Sequence, residues 1–164
     1  MELLSVIVPC YNEEENIFDF YNELMKNEQF FEKRGLEIEI LYIDDGSKDK
    51  TADKVKELNA RDPRAHLLSF SRNFGKEAAI YAGICNVSGD YTAVMDADLQ
   101  DPPALLPEMM DAIKTIFNKN ISTAVILNVA FLKKDIGIIG SFAFVSMTPK
   151  ITSMIIEITR SPII

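Results

Sequence analysis

The sequence predicts an α/β fold, a mostly parallel sheet with flanking helices. Three observations lead there. Short apolar runs of strand length alternate with stretches whose apolar residues recur at helical spacing. The alternation repeats at the interval of strand–helix–strand units, which pair their strands in parallel. Each apolar run also ends in a polar cluster, and in such sheets ligands bind outside the C-terminal ends of the strands.

Leu3–Val8 is an apolar run halted by Pro9 and reads as a buried strand. Asn12 stands where it would cap the next helix, with Glu15 three residues on as in a capping box. Ile17, Phe20, Tyr21, Leu24 and Met25 then fall on one helical face. Ile38–Ile43 reads as the second strand, closed by Asp44-Asp45-Gly46-Ser47, and a helix from about Thr51 to Asn59 turns Val55 and Leu58 inward. His66–Phe70 is the third strand, Glu77–Val87 an alanine-rich helix and Tyr91–Met95 the fourth strand. Asp101-Pro102-Pro103 is a stiff loop before a last helix over Leu105–Ile116.

The 164 residues are 48% hydrophobic and 26% charged, enough for one domain with a modest core. A net charge of −8 disfavours nucleic acid as a partner, because neutralising phosphates takes Lys and Arg. Cys10 and Cys85 make no disulfide framework and read as core. The N-terminus turns acidic at once and has no basic segment of a secretory signal, which predicts a reduced, cytoplasmic setting. His66 is the single histidine and reads as structural; neither zinc-ligand spacing nor a Ser-His-Asp set is present.

Four polar clusters share the predicted rim. Asp96-Ala97-Asp98 is the most pointed: in extended backbone residues i and i+2 face the same way, so two carboxylates converge. Paired carboxylate oxygens suit Mg²⁺ or Mn²⁺, and Gln100 continues the spacing with an amide oxygen. The other reading is a solvated acidic turn. Asp44–Ser47 offers carboxylates to a ribose or base N–H, or is simply a turn leading into a helix. Asn73-Phe74-Gly75-Lys76 opens a helix whose free N–H groups, with Arg72 and Lys76, make an anion seat or a solvated cationic loop. Neither a Walker A loop nor a dinucleotide glycine fingerprint occurs.

In this order, SVIVPCYNEEENI (5–17), LYIDDGSKDKT (41–51), SFSRNFGKEAAIYAGI (69–84) and YTAVMDADLQDPPALLPEMM (91–110) resemble family 2 glycosyltransferases of the GT-A (Rossmann-like) fold. The wordings FSRNFGKEAA and MDADLQDPP point to the polyprenyl-phosphate branch, and the resemblance runs over roughly residues 3–112. It implies that Pro9, Tyr11 and Glu13 belong to the first nucleotide-contacting turn, and Ile43 and Asp45 to the base- and ribose-facing end of strand two. It implies that Asp96, Ala97 and Asp98 meet the donor diphosphate, with Asp96 and Asp98 catalytic and ligating the metal beside Gln100, and that Arg72 and Lys76 lie near the donor. The implied reaction is metal-dependent transfer, with inversion, of a sugar from a nucleotide diphosphate (UDP-glucose as donor) to a polyprenyl phosphate. The setting it implies is the cytoplasmic, inner face of a membrane, with peripheral association. A receiver-type phospho-acceptor domain also clusters aspartates on a parallel sheet, but it wants its acidic pair after strand one, and here the pair follows strand two.

The composition breaks near Lys114. Residues 1–114 hold 12 Lys+Arg against 23 Asp+Glu, and residues 115–164 hold 5 against 2. Isoleucine occurs 8 times before the break and 12 times in the 50 residues after it. The expected organisation is therefore a nucleotide-sugar-binding half over 1–114 and an atypical apolar tail over 115–164. Two 12-residue apolar stretches, 121–132 and 136–147, are short of the about 20 residues a bilayer needs. With Lys133 and Lys134 between them they suit interfacial attachment or the edge of a core. The break predicts a truncated or frame-disrupted product, and as an alternative function a noncatalytic nucleotide-sugar-binding remnant. Translating the other two frames of the coding DNA checks this: a family-like continuation is expected, and its absence counts against the idea.

Overall fold

A computed structural model describes residues 1–118, 125–127, 131–133 and 143–145. Four strands, β1 (Glu2–Cys10), β2 (Leu36–Asp44), β3 (Ala65–Ser69) and β4 (Tyr91–Val94), form a parallel sheet in the order β3-β2-β1-β4. Helices α1 (Ile17–Met25), α2 (Glu28–Lys33), α3 (Thr51–Arg61), α4 (Lys76–Asn86) and α5 (Leu106–Asn118) connect and cover them, α5 after a 3₁₀ turn over Pro103–Leu105. Three further strands are short: β5 (Val125–Leu127) pairs in parallel with β7 (Ala143–Val145), and β6 (Phe131–Lys133) runs antiparallel along β4. The two apolar stretches noted after residue 120 otherwise lie outside the described residues. Among the described residues no helix is long and apolar enough to cross a membrane.

Strand alternation divides the core in two. Leu4, Val6 and Val8 of β1 and Ile38, Ile40 and Tyr42 of β2 point to one face. There they meet Ile17, Phe20 and Leu24 of α1, Val55 and Leu58 of α3, and Leu106 and Met110 of α5. Ile7, Leu41, Ile43 and Val94 point the other way, onto Ala79 and Ile80 of α4. Near-continuous apolar strands are what a parallel sheet covered on both faces requires. The first strand continues through Pro9 because β4 pairs only with Leu4–Ile7, so the proline lies past the end of that ladder.

The predicted helix start at Asn12 is not observed. Asn12 takes a left-handed φ of 57°, its N–H donates to Ser47 Oγ and its Oδ1 accepts from the Lys48 N–H. The helix begins five residues later because the Asn12 side chain that would have capped it is bound to the next loop. Cys85, expected in the core, is exposed on α4, whereas Cys10 is buried as expected. The short helix α2 had no expectation behind it; Phe31 anchors it in the core, with Phe30 packed against the same cluster.

Gly83 shows how tightly α4 sits on the sheet. A β-carbon there would lie 2.4 Å from Cγ2 of Ile7, a β-branched side chain with few rotamers to escape into. The helix thus needs a glycine in its interior despite the propensity cost. Gly83→Ala should lower stability by about 1–3 kcal/mol, the usual cost of overpacking, measured by urea unfolding.

Candidate functional site

The C-terminal rim is assembled by side chains that reach across loops. The Cys10–Asp44 register brings the ends of β1 and β2 level, and the Asp45 N–H donates to the Cys10 carbonyl at 2.8 Å. The two following loops are then laced together. The Glu13 N–H donates to Thr51 Oγ1, the Glu14 N–H to Asp49 and the Lys50 N–H to Glu14. Burial works to raise the Asp49 carboxyl, but hydrogen bonds from Thr51 and the Glu14 amide outweigh it and hold it below its usual range. Thr51 is fully buried, and nothing in its own sequence neighbourhood marked it as part of this lacing.

The paired acids of strand two have different jobs. Asp44 is buried; its Oδ1 accepts the Ser47 N–H and its Oδ2 the Ser69 hydroxyl, which ties the turn to β3. Asp45 is buried as well, and both its oxygens accept backbone N–H groups of the 72–75 loop: Phe74 at 2.7 Å and Gly75 at 2.9 Å. The predicted anion seat at Asn73–Lys76 is therefore real in form, but the anion in it is the protein's own Asp45. Gly46 makes this possible. Its φ is 69°, and a β-carbon would lie 2.3 Å from the Arg72 carbonyl carbon.

These contacts shape a cavity of about 400 Å³ lined by Pro9, Cys10, Tyr11, Glu13, Asp45, Asn73, Gly75, Lys76, Asp96, Ala97 and Asp98. Eight of the residues singled out from the sequence meet here: Pro9, Tyr11, Glu13, Asp45, Lys76, Asp96, Ala97 and Asp98. Ala97 is buried between Asp96 and Asp98, although β4 stops at Val94 and the chain already turns at Ala97–Asp98, so the two carboxylates meet in a turn rather than on the extended backbone expected. Lys76, the first residue of α4, places its Nζ 2.7 Å from Asp96.

Three expected residues do not line the cavity. Ile43 is fully buried against α4, because alternation along β2 turns it into the core. Arg72 lays its guanidinium over the Phe74 ring, 4.8 Å from the centroid. Gln100 does not continue the i, i+2 spacing because the chain has turned at Ala97–Asp98 and Leu99 then adopts a left-handed φ of 61°. What Gln100 supplies instead is its backbone N–H, donated to Asp98 Oδ1. Asn73 and Gly75, from the predicted anion seat, line the cavity too, and Cys10 lines it without having been singled out as a binding residue. Burial, with Glu13, Asp44, Asp96 and Asp49 around it, pushes the Cys10 thiol well up, and its Sγ–H donates to the Val8 carbonyl.

A second cavity, of about 350 Å³, lies along β3 and includes Glu39 and His66. Its one carboxylate already accepts from Ser5 and Ser88, and it is not at the strand rim.

Residues 5–127 match the family described as Glycosyl transferase family 2. The chain belongs to glycosyl transferase family 2. Among this family's relatives, the bactoprenol glucosyl transferase of Shigella phage SfV is 44% identical over 108 residues, 66% of this chain and 34% of that protein. The prophage bactoprenol glucosyl transferase homolog of Escherichia coli K12 is 43% identical over the same length. The chain thus spans about a third of the length of the curated relatives it matches. In structure it resembles the mannosyltransferase PcManGT of Pyrobaculum calidifontis, in complex with GDP-Man and Mn²⁺, with a TM-score of 0.55 and 24% identity over 69% of this chain and 32% of that one. S. aureus TarS 1-349 in complex with UDP-GlcNAc gives a TM-score of 0.53 and 26% identity over 73% of this chain and 32% of that one. The fold is GT-A, a mostly parallel sheet with flanking helices, as expected from the sequence.

Gly46→Ala should uncouple the 72–75 loop, since neither the left-handed backbone nor the Arg72 main chain can yield to a methyl group. A loss of more than ~1 kcal/mol is expected from backbone strain alone. Thermal melts read the stability, and amide exchange at Phe74 and Gly75 reads whether the Asp45 bonds are lost.

Proposed function

We propose that the rim cavity is the donor site of a metal-dependent, inverting glycosyltransferase that moves glucose from UDP-glucose to a polyprenyl phosphate. The observation that carries this is the sign of charge in the cavity. Four carboxylates, from Glu13, Asp45, Asp96 and Asp98, face one ammonium, from Lys76. A nucleoside diphosphate is itself an anion, so such a cavity accepts one only together with a cation. The likeness to bactoprenol glucosyl transferases supports the glucosyl donor and the lipid phosphate acceptor.

Asp96 and Asp98 fit a divalent cation of the Mg²⁺ or Mn²⁺ type. They are hard oxygen donors in one cavity, with Asp98 exposed. Among the described residues no group of three or more His, Cys, Asp or Glu side chains forms a closed cage. Two carboxylates with open positions are what such ions use when phosphates complete the shell. Bound there, the cation neutralises the charge that develops on the departing diphosphate.

The chain's own residues then have defined tasks. Asp96 and Asp98 would hold that ion at the diphosphate end. Pro9, Tyr11, Glu13 and Asp45 bound the nucleoside end, with Tyr11 exposed for contact. Lys76 offers a positive charge to the leaving group. An acceptor phosphate oxygen attacks the sugar's anomeric carbon as the bond to the diphosphate breaks, and the electron pair leaves with UDP. That oxygen is already ionised near neutral pH, so the site needs positioning and charge more than a strong base. A lipid acceptor sets this work at a membrane surface, on the cytoplasmic, inner face where nucleotide sugars are found.

Calorimetric titration with UDP and UDP-glucose, with and without Mn²⁺, tests the reading. Binding that needs Mn²⁺ is expected, weakened by at least ~10–100-fold in Asp96→Ala/Asp98→Ala. Metal-independent binding, or none in a folded chain, sinks the proposal.

A further inference from the structure

Lys76 is engaged before any ligand arrives. Its ammonium lies 2.7 Å from both Oδ1 and Oδ2 of Asp96, so it sits astride the carboxylate rather than beside it. That is the position a divalent cation needs. The ammonium does not reach it by chance. Gly75 is pinned through its N–H to Asp45, and Lys76 follows as the first residue of α4. The pair is also open to solvent, with side-chain exposures of 51% for Lys76 and 38% for Asp96. An ion pair this exposed is weak and exchangeable.

On the donor reading above, we infer that Lys76 is an internal counter-ion that keeps Asp96 from a divalent cation until a nucleoside diphosphate draws the ammonium away. The ammonium and the metal compete for the same two oxygens. A diphosphate gives the ammonium another anionic partner in the same cavity, and Asp96 is released as a ligand. Metal and donor therefore bind cooperatively, and by linkage each raises the affinity of the other by the same factor. The free protein is spared a tightly held cation that would leave no exchange of metal with product. In this role Lys76 is a positioning residue toward the metal.

The test titrates Mn²⁺, followed by the electron paramagnetic resonance of the free ion, into the 164-residue chain with and without UDP. In Lys76→Met the affinity for Mn²⁺ alone should rise about fivefold, the scale of an exposed ion pair removed. Lys76→Gln should do the same, and Lys76→Arg should stay near the wild-type value. The factor by which UDP tightens Mn²⁺ should shrink in both neutral variants. Structural damage would weaken Mn²⁺ binding, so a rise is a signature that damage cannot mimic. Arg72→Met removes the same charge from the same loop without touching Asp96, and should change little. Unchanged or weaker Mn²⁺ binding in the neutral variants overturns the inference, as does an equal rise in Arg72→Met. A rise in Mn²⁺ affinity with no UDP binding in any form overturns the donor reading while leaving the Lys76–Asp96 competition standing.

Discussion

The site hangs on one carboxylate. Asp45, buried at the end of β2, accepts two main-chain N–H groups from a loop thirty residues away, and a glycine beside it lets that loop come within contact distance. Bonds from backbone N–H to an ionised, buried carboxylate are among the stronger neutral-to-charged contacts a fold can make. They fix where α4 begins, and through Gly75 they fix Lys76. The side chain of Lys76 then reaches Asp96, two residues past the end of β4. Three strands are thereby coupled at the rim through a chain of four residues.

The same arrangement explains why an acidic chain presents an acidic cavity. Asp44, Asp45 and Asp49 are consumed in holding loops, each by accepting hydrogen bonds from the next segment or its own turn. Asp96 and Asp98 stand farther out, one against an ammonium and one against solvent. The division separates carboxylates that build the cavity from carboxylates still open to a ligand. Burial makes the first group costly to exchange, and exposure keeps the second group available.

Much of this was legible in the sequence. The four strands and the helices between them, α2 excepted, follow from apolar runs and 3.6-residue spacing, because burial on a sheet face or helix face imposes those periods. The Asp96/Asp98 pair was legible from its i, i+2 spacing beyond a strand, although the strand stops at Val94 and the chain turns at Ala97. The same spacing failed at Gln100, past the turn and a left-handed Leu99, and a leucine gives no sign of that conformation. Asn12 looked like a helix cap because its residue type suits one. Its side chain was claimed instead by Lys48, a partner that local pattern does not reveal. Ile43 and Arg72 lie on the right segments, but their side chains go to the core and to Phe74.

By itself, then, the sequence determined the layer architecture, the order of strands and helices, and which segments would gather at the rim, since these depend on short-range periodicity. It also carried the family, through four ordered motifs. The tertiary structure alone decided what each polar side chain does once there: Asp45 as the anchor of a distant loop, Asn12 and Thr51 as lacing, and Lys76 across Asp96. Those roles depend on distances between residues far apart in the chain, and such distances are set by sheet register and helix packing rather than by any local pattern.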